Sequence, residues 1–317
     1  MDHKLTKVVF FGSGEFAIPT LKSLVEIGYE IPVVITTTES PVHSYVLDHN
    51  LPYVTSPNLN SPEFEKFMRN LDADIYVVAS FKKIPKNIYT IPEYGAFNVH
   101  AALLPDYRGA APITWAIANG ESKTGITTFF LEETIDTGGI IEQAEVIIEK
   151  NDNYITLESR LAEVAVGVVQ RTIEKIMTLE YKLIVQNSSP KLAPKLTMEN
   201  RWLDCNKSVI EIINFVKAFP PKKPAYLALG YESEEDKNLY LFIHETKDYE
   251  VFSQCISPPG TLVSDSKRNF GVYGIDGIVW FNKVQRDGAK IISAQDFMNG
   301  QSAIATSFCA KTSKKKK

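Results

Sequence analysis

Apolar positions in the first half of the chain follow two alternating rhythms. Short, nearly unbroken apolar runs at residues 7–12 (KVVFFG), 31–38 (IPVVITTT), 74–80 (DIYVVAS) and 95–100 (GAFNVH) read as strands buried on both faces. Between them, residues 16–28 (FAIPTLKSLVEIG) place apolar side chains at helical spacing and stop on glycine. Residues 61–71 (SPEFEKFMRNL) open with the Ser-Pro pair that starts helices. Residues 36–54 (TTTESPVHSYVLDHNLPYV) read as a loop after the second strand. Further strands are predicted at 125–131 and 140–148, and a long one-face-apolar helix over 156–179. Strands alternating with helices predict right-handed βαβ units and a mostly parallel sheet, an α/β class.

The texture changes after residue 184. Residues 185–202 carry two prolines and little periodicity, which reads as a linker. A short helix is predicted over 208–219, and then short strands and turns whose spacing suits a small β-barrel. A length of 317 residues fits two domains of ordinary size. The expected boundaries are 1–186, a linker at 187–205, a second domain at 206–311 and a basic tail at 312–317.

Composition narrows the class. No apolar run approaches the roughly 18 residues of a membrane span, and the first residues lack a secretory pattern. Three scattered cysteines, Cys205, Cys255 and Cys309, suit reduced thiols in a cytoplasmic setting, with no metal knuckle. The net charge of −4 is unevenly shared: from Asn206 onward there are 16 Lys and Arg against 12 Asp and Glu, and before it 18 against 26. A basic second half favours a polyanionic partner there, although part of the excess lies in the terminal KTSKKKK.

Residues 12–17 (GSGEFA) fit the dinucleotide fingerprint between a strand and a helix. That fingerprint also needs an acidic residue closing the second strand, where this chain has Thr36, Thr37 and Thr38. Glu15 inside the turn would repel a pyrophosphate. The glycines therefore read as a tight strand-to-helix turn.

The candidate chemistry lies in FNVHAALLPDYRGAAP, residues 97–112. Period-two geometry sets Asn98 and His100 on one face of a strand end, with Val99 turned away. Leu103-Leu104-Pro105 then turns the chain, because proline cannot continue a ladder. In ETIDTGGII (residues 133–141), Asp136 stands in a glycine-bearing turn. An Asx turn accounts for it locally, but it is also a carboxylate able to orient an imidazole.

These stretches, with residues 7–26, 193–219 and 258–300 beside them, resemble the formyltransferases that use 10-formyltetrahydrofolate, nearest those whose acceptor is initiator methionyl-tRNA. The resemblance implies a Rossmann-like sheet in the formyltransferase fold, followed by an OB-like β-barrel that binds tRNA. It places the catalytic residues on Asn98, His100 and Asp136, and the folate-contacting turn on Ala102, Leu103, Leu104 and Pro105. Phe81, Ile84 and Phe97 are expected as walls of an apolar folate slot. Arg108, Lys217, Lys222 and Lys223 are candidates for tRNA phosphates. No metal is expected, and the partner set is initiator methionyl-tRNA without membrane or DNA, bound by a monomer.

The chain departs from the family pattern at three places. The stretch 36–54 contains no Lys or Arg where the tRNA enzymes usually carry a long basic loop. Asp106 stands where a basic residue or Gln is common, and Ala102 replaces a serine. The missing basic loop keeps open a second acceptor, an amino-sugar nucleotide formylated with the same donor and the same three residues.

Overall fold

The computed structural model describes residues 6–189, 191–230, 239–265, 269–299 and 309–310. The basic tail at 312–317 lies outside the described residues. Contacts divide the chain into two units. The first comprises Met1–Ile113, Ser122–Glu149 and Thr156–Pro194; the second comprises Thr114–Glu121, Lys150–Ile155 and Lys195–Lys317.

The first unit is built on β1 (Val8–Gly12), β2 (Val34–Thr36), β3 (Tyr53–Thr55), β4 (Ile75–Ala79) and β5 (Ala96–His100), all parallel. A two-residue strand β6 (Arg108–Gly109) lies apart from this sheet. Strands β7 (Lys123–Phe130) and β8 (Ile140–Ile147) extend it in antiparallel fashion, giving the order β3-β2-β1-β4-β5-β7-β8. β1 and β4 are buried at every position, which explains their unbroken apolar runs. The order reverses between β1 and β4, the switch point at whose carboxyl ends such sheets open a crevice, and β5 is the next strand after β4.

Helices α1 (Ile18–Ile27), α2 (Pro41–Asp48), α3 (Pro62–Asn70), α4 (Lys86–Tyr89) and α5 (Pro112–Ala118) punctuate these strands, and α6 (Tyr154–Thr178) follows them. The glycine turn after β1 is packed against β4. A Cβ on Gly12 would meet Phe10 Cε1 at 2.6 Å and Ala79 O at 3.1 Å, and Ser13 Oγ donates to Ser80 O at 2.7 Å. The glycines thus serve close packing of turn on strand.

One element corrects the reading of 36–54 as a loop: α2 and β3 occupy most of it. Ser40 caps α2, its Oγ accepting the His43 N–H at 3.1 Å, with Pro41 in the first turn. This is the same Ser-Pro start that marks α3 at Ser61-Pro62. The stretch is a helix because the cap and the buried Val42 and Val46 outweigh its polar composition.

The segment read as a linker is also held. Ile184 bridges to Ile140, and β9 (Leu192–Ala193) pairs in parallel with β6. Its anchors are backbone hydrogen bonds rather than a periodic apolar face, so no rhythm announces them.

In the second unit, α7 (Val209–Ala218) begins with a capping box between Ser208 and Glu211. Strands β10 (Ala225–Gly230), β11 (Leu239–Val251), β12 (Leu262–Ser264), β13 (Phe270–Tyr273), β14 (Gly277–Arg286), β15 (Ile292–Ser293) and β16 (Cys309–Ala310) form one antiparallel sheet, and α8 (Ala294–Asn299) follows β15. Its order is β12-β13-β14-β11-β10-β16, with β15 added to β14. Register shifts between Ile243 and Asp248 bulge β11 against β14 and curl the sheet. Helix α7 packs on β11 and β14, with Val209, Ile212, Ile213 and Val216 buried. Trp115 is half-buried and meets Phe219 edge-on at 6.3 Å, a packing role.

No helix among the described residues is long and apolar enough to cross a membrane. Ser40→Ala removes the α2 cap and leaves the buried Thr36 hydroxyl, now 2.9 Å from Ser40 Oγ, without that partner. Chemical denaturation is expected to show a loss of about 1–2 kcal/mol.

Candidate functional site

The strand register sets the site. Asn98 lies opposite Phe129 and His100 opposite Thr127 in the antiparallel β5–β7 pair, so these four side chains share a face. His100 is 5% exposed. Asn98 is half-buried, and its carboxamide has no hydrogen-bond partner among the described residues. Phe97 points to the opposite face and is fully buried. It is a core residue and not a wall beside Asn98 and His100, which its place one residue from Asn98 already implies.

His100 is held on both sides of its ring. Nε2 lies 2.9 Å from the backbone oxygen of Tyr107. A carbonyl can only accept, so Nε2 carries a proton and donates it there. Nδ1 is left facing Asp136 Oδ2 at 3.9 Å. When the ring is neutral, Nδ1 presents its lone pair; when it is charged, an N–H faces the carboxylate.

The backbone that supplies these partners is irregular. Tyr107 adopts φ 60° and Asp136 φ 56°, in the left-handed region. The Tyr107 N–H donates to Lys191 O at 2.7 Å, which anchors the residue whose carbonyl meets His100. Asp136 Oδ2 accepts the Gly109 N–H at 2.8 Å. Gly109 has φ 127°, and a Cβ there would sit 2.3 Å from Ala193 O. Only glycine allows β9 to approach this closely.

A buried polar node fixes the Leu103-Leu104-Pro105 turn. Thr127 Oγ1 donates to Ala102 O at 2.6 Å and accepts from Leu104 N at 3.1 Å and Gln143 Nε2 at 2.9 Å. Gln143 Nε2 also reaches Leu104 O at 2.9 Å. Every bonding capacity of that hydroxyl is filled. Leu104 packs with Phe129 and Ile140, and the Leu104–Pro105 peptide is cis. Sequence reasoning missed Thr127 and Gln143, although threonine in the buried run GITTFFL was a usable signal.

The other predicted residues divide. Ile84 is buried and Phe81 half-buried in the cluster that contains Ala96, which shares the Asn98 face of β5. Phe81 meets Phe11 edge-on at 5.6 Å. Arg108, expected to reach a phosphate, is committed elsewhere: Nε and Nη2 donate to Gln186 Oε1 at 3.0 and 2.7 Å, and Nη2 to Asn187 O at 3.0 Å. Asp106 accepts from the Ser189 hydroxyl and lies 3.7 Å from Lys191 Nζ, so its charge is answered within the unit. Lys217 donates to Lys150 O at 3.0 Å, and burial lowers its pKa. Lys222 and Lys223 are exposed in the turn before β10. Among the described residues no group of three His, Cys, Asp or Glu is placed to hold a metal ion.

A free carboxamide, an imidazole and a carboxylate at one strand end can stabilise negative charge growing on a carbonyl oxygen and accept a proton from an attacking amine. A family model described as formyl transferase matches residues 7–173, and one described as formyl transferase, C-terminal domain, matches residues 195–302. A methionyl-tRNA formyltransferase of Azobacteroides pseudotrichonymphae genomovar. CFP2 is 35% identical over 322 residues, covering 96% of this chain and 98% of its own. One from Bacteroides thetaiotaomicron is 34% identical over 310 residues, covering 93% and 95%. The solved structure of an N-formyltransferase from Helicobacter canadensis, in complex with folinic acid and dTDP-3-aminofucose, matches with a TM-score of 0.64 at 20% identity, over 89% of this chain and 100% of its own. At that identity the likeness is one of fold.

Thr127→Val keeps the shape of the buried node and strips its hydroxyl, leaving Ala102 O and Leu104 N short of a partner. Denaturant unfolding should show a loss of about 1–3 kcal/mol, with Thr127→Ser close to the parent.

Proposed function

Since this chain belongs to the formyl transferase family, matching its models over residues 7–173 and 195–302, we propose that it transfers a formyl group from 10-formyltetrahydrofolate to the α-amino group of initiator methionyl-tRNA. The observation that carries the chemistry is the unpartnered Asn98 carboxamide on the same strand face as the His100–Asp136 pair. The acceptor rests on relatives that follow this chain through nearly its whole length, second domain included.

The residues fit the donor. The turn Ala102–Pro105 is rigidly tied by Thr127, offering fixed backbone groups to a folate ring, while Phe81 and Ile84 supply apolar surface on the Asn98 face. When bound, the folate supplies the formyl carbon and a nitrogen leaving group. The Asn98 NH₂ donates to the formyl oxygen as charge gathers there, a contribution of about 3–4 kcal/mol for a well-placed donor. Tyr107 keeps the Nε2 proton in place, so Nδ1 is the ring atom free to gain or release one. Asp136 receives the proton leaving the amine, directly or through a water, and that proton is passed on to the departing folate nitrogen. Holding both partners on one strand end supplies further advantage through orientation.

The tRNA backbone falls to the C-terminal domain, 206–311, with Lys222 and Lys223 as contacts. Arg108 and Lys217 drop out of that set because each is tied to protein acceptors. A second reading, N-formylation of an amino-sugar nucleotide, draws on one observation: α2 and β3 fill 41–55 without a single Lys or Arg.

Incubation with 10-formyltetrahydrofolate and either charged initiator tRNA or an amino-sugar nucleotide separates the two. Formylmethionyl-tRNA is the expected product, and formylation of the sugar nucleotide alone would overturn the acceptor. Asn98→Ala and His100→Ala should each lower kcat by about 10²–10³-fold with tRNA affinity kept. Full activity in either variant would remove the proposed chemistry.

A further inference from the structure

We propose that Gln186, at the boundary of the segment expected to be a linker, is a positioning residue that sets Asp136 against His100. Its carboxamide works in two directions. Oε1 accepts Nε and Nη2 of Arg108 at 3.0 and 2.7 Å, and Nε2 donates to Gly138 O at 2.8 Å. The orientation of the amide follows from its partners, since a guanidinium only donates and a carbonyl only accepts.

The two groups it joins belong to opposite sides of the catalytic pair. Arg108 stands between Tyr107, whose carbonyl holds His100 Nε2, and Gly109, whose N–H holds Asp136 Oδ2. Gly138 follows Asp136 by two residues in the same turn. A single side chain therefore ties the strand that grips both functional groups to the turn that carries the carboxylate. On its β7 side the turn is already seated as closely as glycine permits, since a Cβ on Gly138 would fall 1.8 Å from Phe130 O. On its other side, residues 132–135 are exposed. Among the described residues, Lys83 Nζ also donates to Glu133 O at 2.7 Å, but the ties from this turn to β6 are the Asp136–Gly109 hydrogen bond and the one through Gln186. At 3.9 Å, Asp136 and His100 are beyond hydrogen-bond length, so whether they engage depends on where this turn is held.

The inference rests on the proposed function only in treating Asp136 as catalytic. A double-mutant cycle tests it. Gln186→Met, which keeps volume and loses both ties, should lower kcat about ten- to a hundredfold with the donor KM within about twofold. Gln186→Glu keeps the acceptor for Arg108 and loses the donor to Gly138, so it should fall in parallel; it also serves if the Met variant folds poorly. In an Asp136→Asn background, Gln186→Met should add no further loss, because its effect passes through Asp136. An unchanged kcat, or the same fold-loss in both backgrounds, would overturn the proposal. A crystal structure of Gln186→Met needs no acceptor and gives an independent reading: Asp136 withdrawn from the Gly109 N–H supports the proposal, and an undisturbed 2.8 Å bond overturns it. Should the parent formylate some amine other than methionyl-tRNA, the acceptor reading alone fails and the structural arm still decides the role of Gln186.

Discussion

A buried imidazole whose Nε2 proton is taken by a backbone carbonyl is the constraint on which the site depends. That bond from His100 to Tyr107 fixes the ring in its plane and decides which nitrogen is left for chemistry. It also dictates the shape of the surrounding chain. For the Tyr107 carbonyl to meet His100, residue 107 must turn left-handed and the chain must double back along β6. Residue 109 must also be glycine, so that Ala193 can lie against it. The carboxylate of Asp136, itself at a left-handed position, then closes the arrangement from the β7–β8 side. Left-handed backbone at a non-glycine residue costs about 1–2 kcal/mol, and here two such residues flank the same ring. The surrounding hydrogen bonds hold them in that conformation.

The regular parts of the fold make this possible by being rigid. β4 and β5 lie side by side in the buried sheet, and β5 delivers Asn98 and His100 on one face at its carboxyl end. β7 then returns Thr127 and Phe129 to that face, one as the polar node of the turn and the other as apolar packing for Leu104. The same sheet that buries the apolar runs thus sets the spacing of Asn98, His100 and Thr127, while β6 and the turn after β7 bring in Asp136.

Much of this was legible in the sequence where a side chain or a period speaks for itself. Unbroken apolar runs marked β1, β4 and β5, and period two put Asn98 and His100 on a common face. The Ser-Pro start that identifies α3 is equally present at Ser40-Pro41, where α2 begins inside the stretch expected as a loop. Phe97, expected in the folate slot, falls on the other face by the alternation of the same strand. Other parts carried no readable signal. Tyr107 acts through its backbone, so its identity says nothing about the bond to His100. Gln186 meets Arg108 across 78 residues, from a stretch with no hydrophobic rhythm. Arg108 and Lys217 looked like free cations because their acceptors are a neutral amide and backbone carbonyls, which leave no charge pattern to find.

The ring of His100 reports most directly on the central claim. Its ¹⁵N resonances, assigned by comparison with a His100 variant, distinguish the two neutral tautomers. The account predicts that neutral His100 carries its proton on Nε2 with Nδ1 bare. A ring protonated on Nδ1, or one exchanging freely between the two forms, would contradict it.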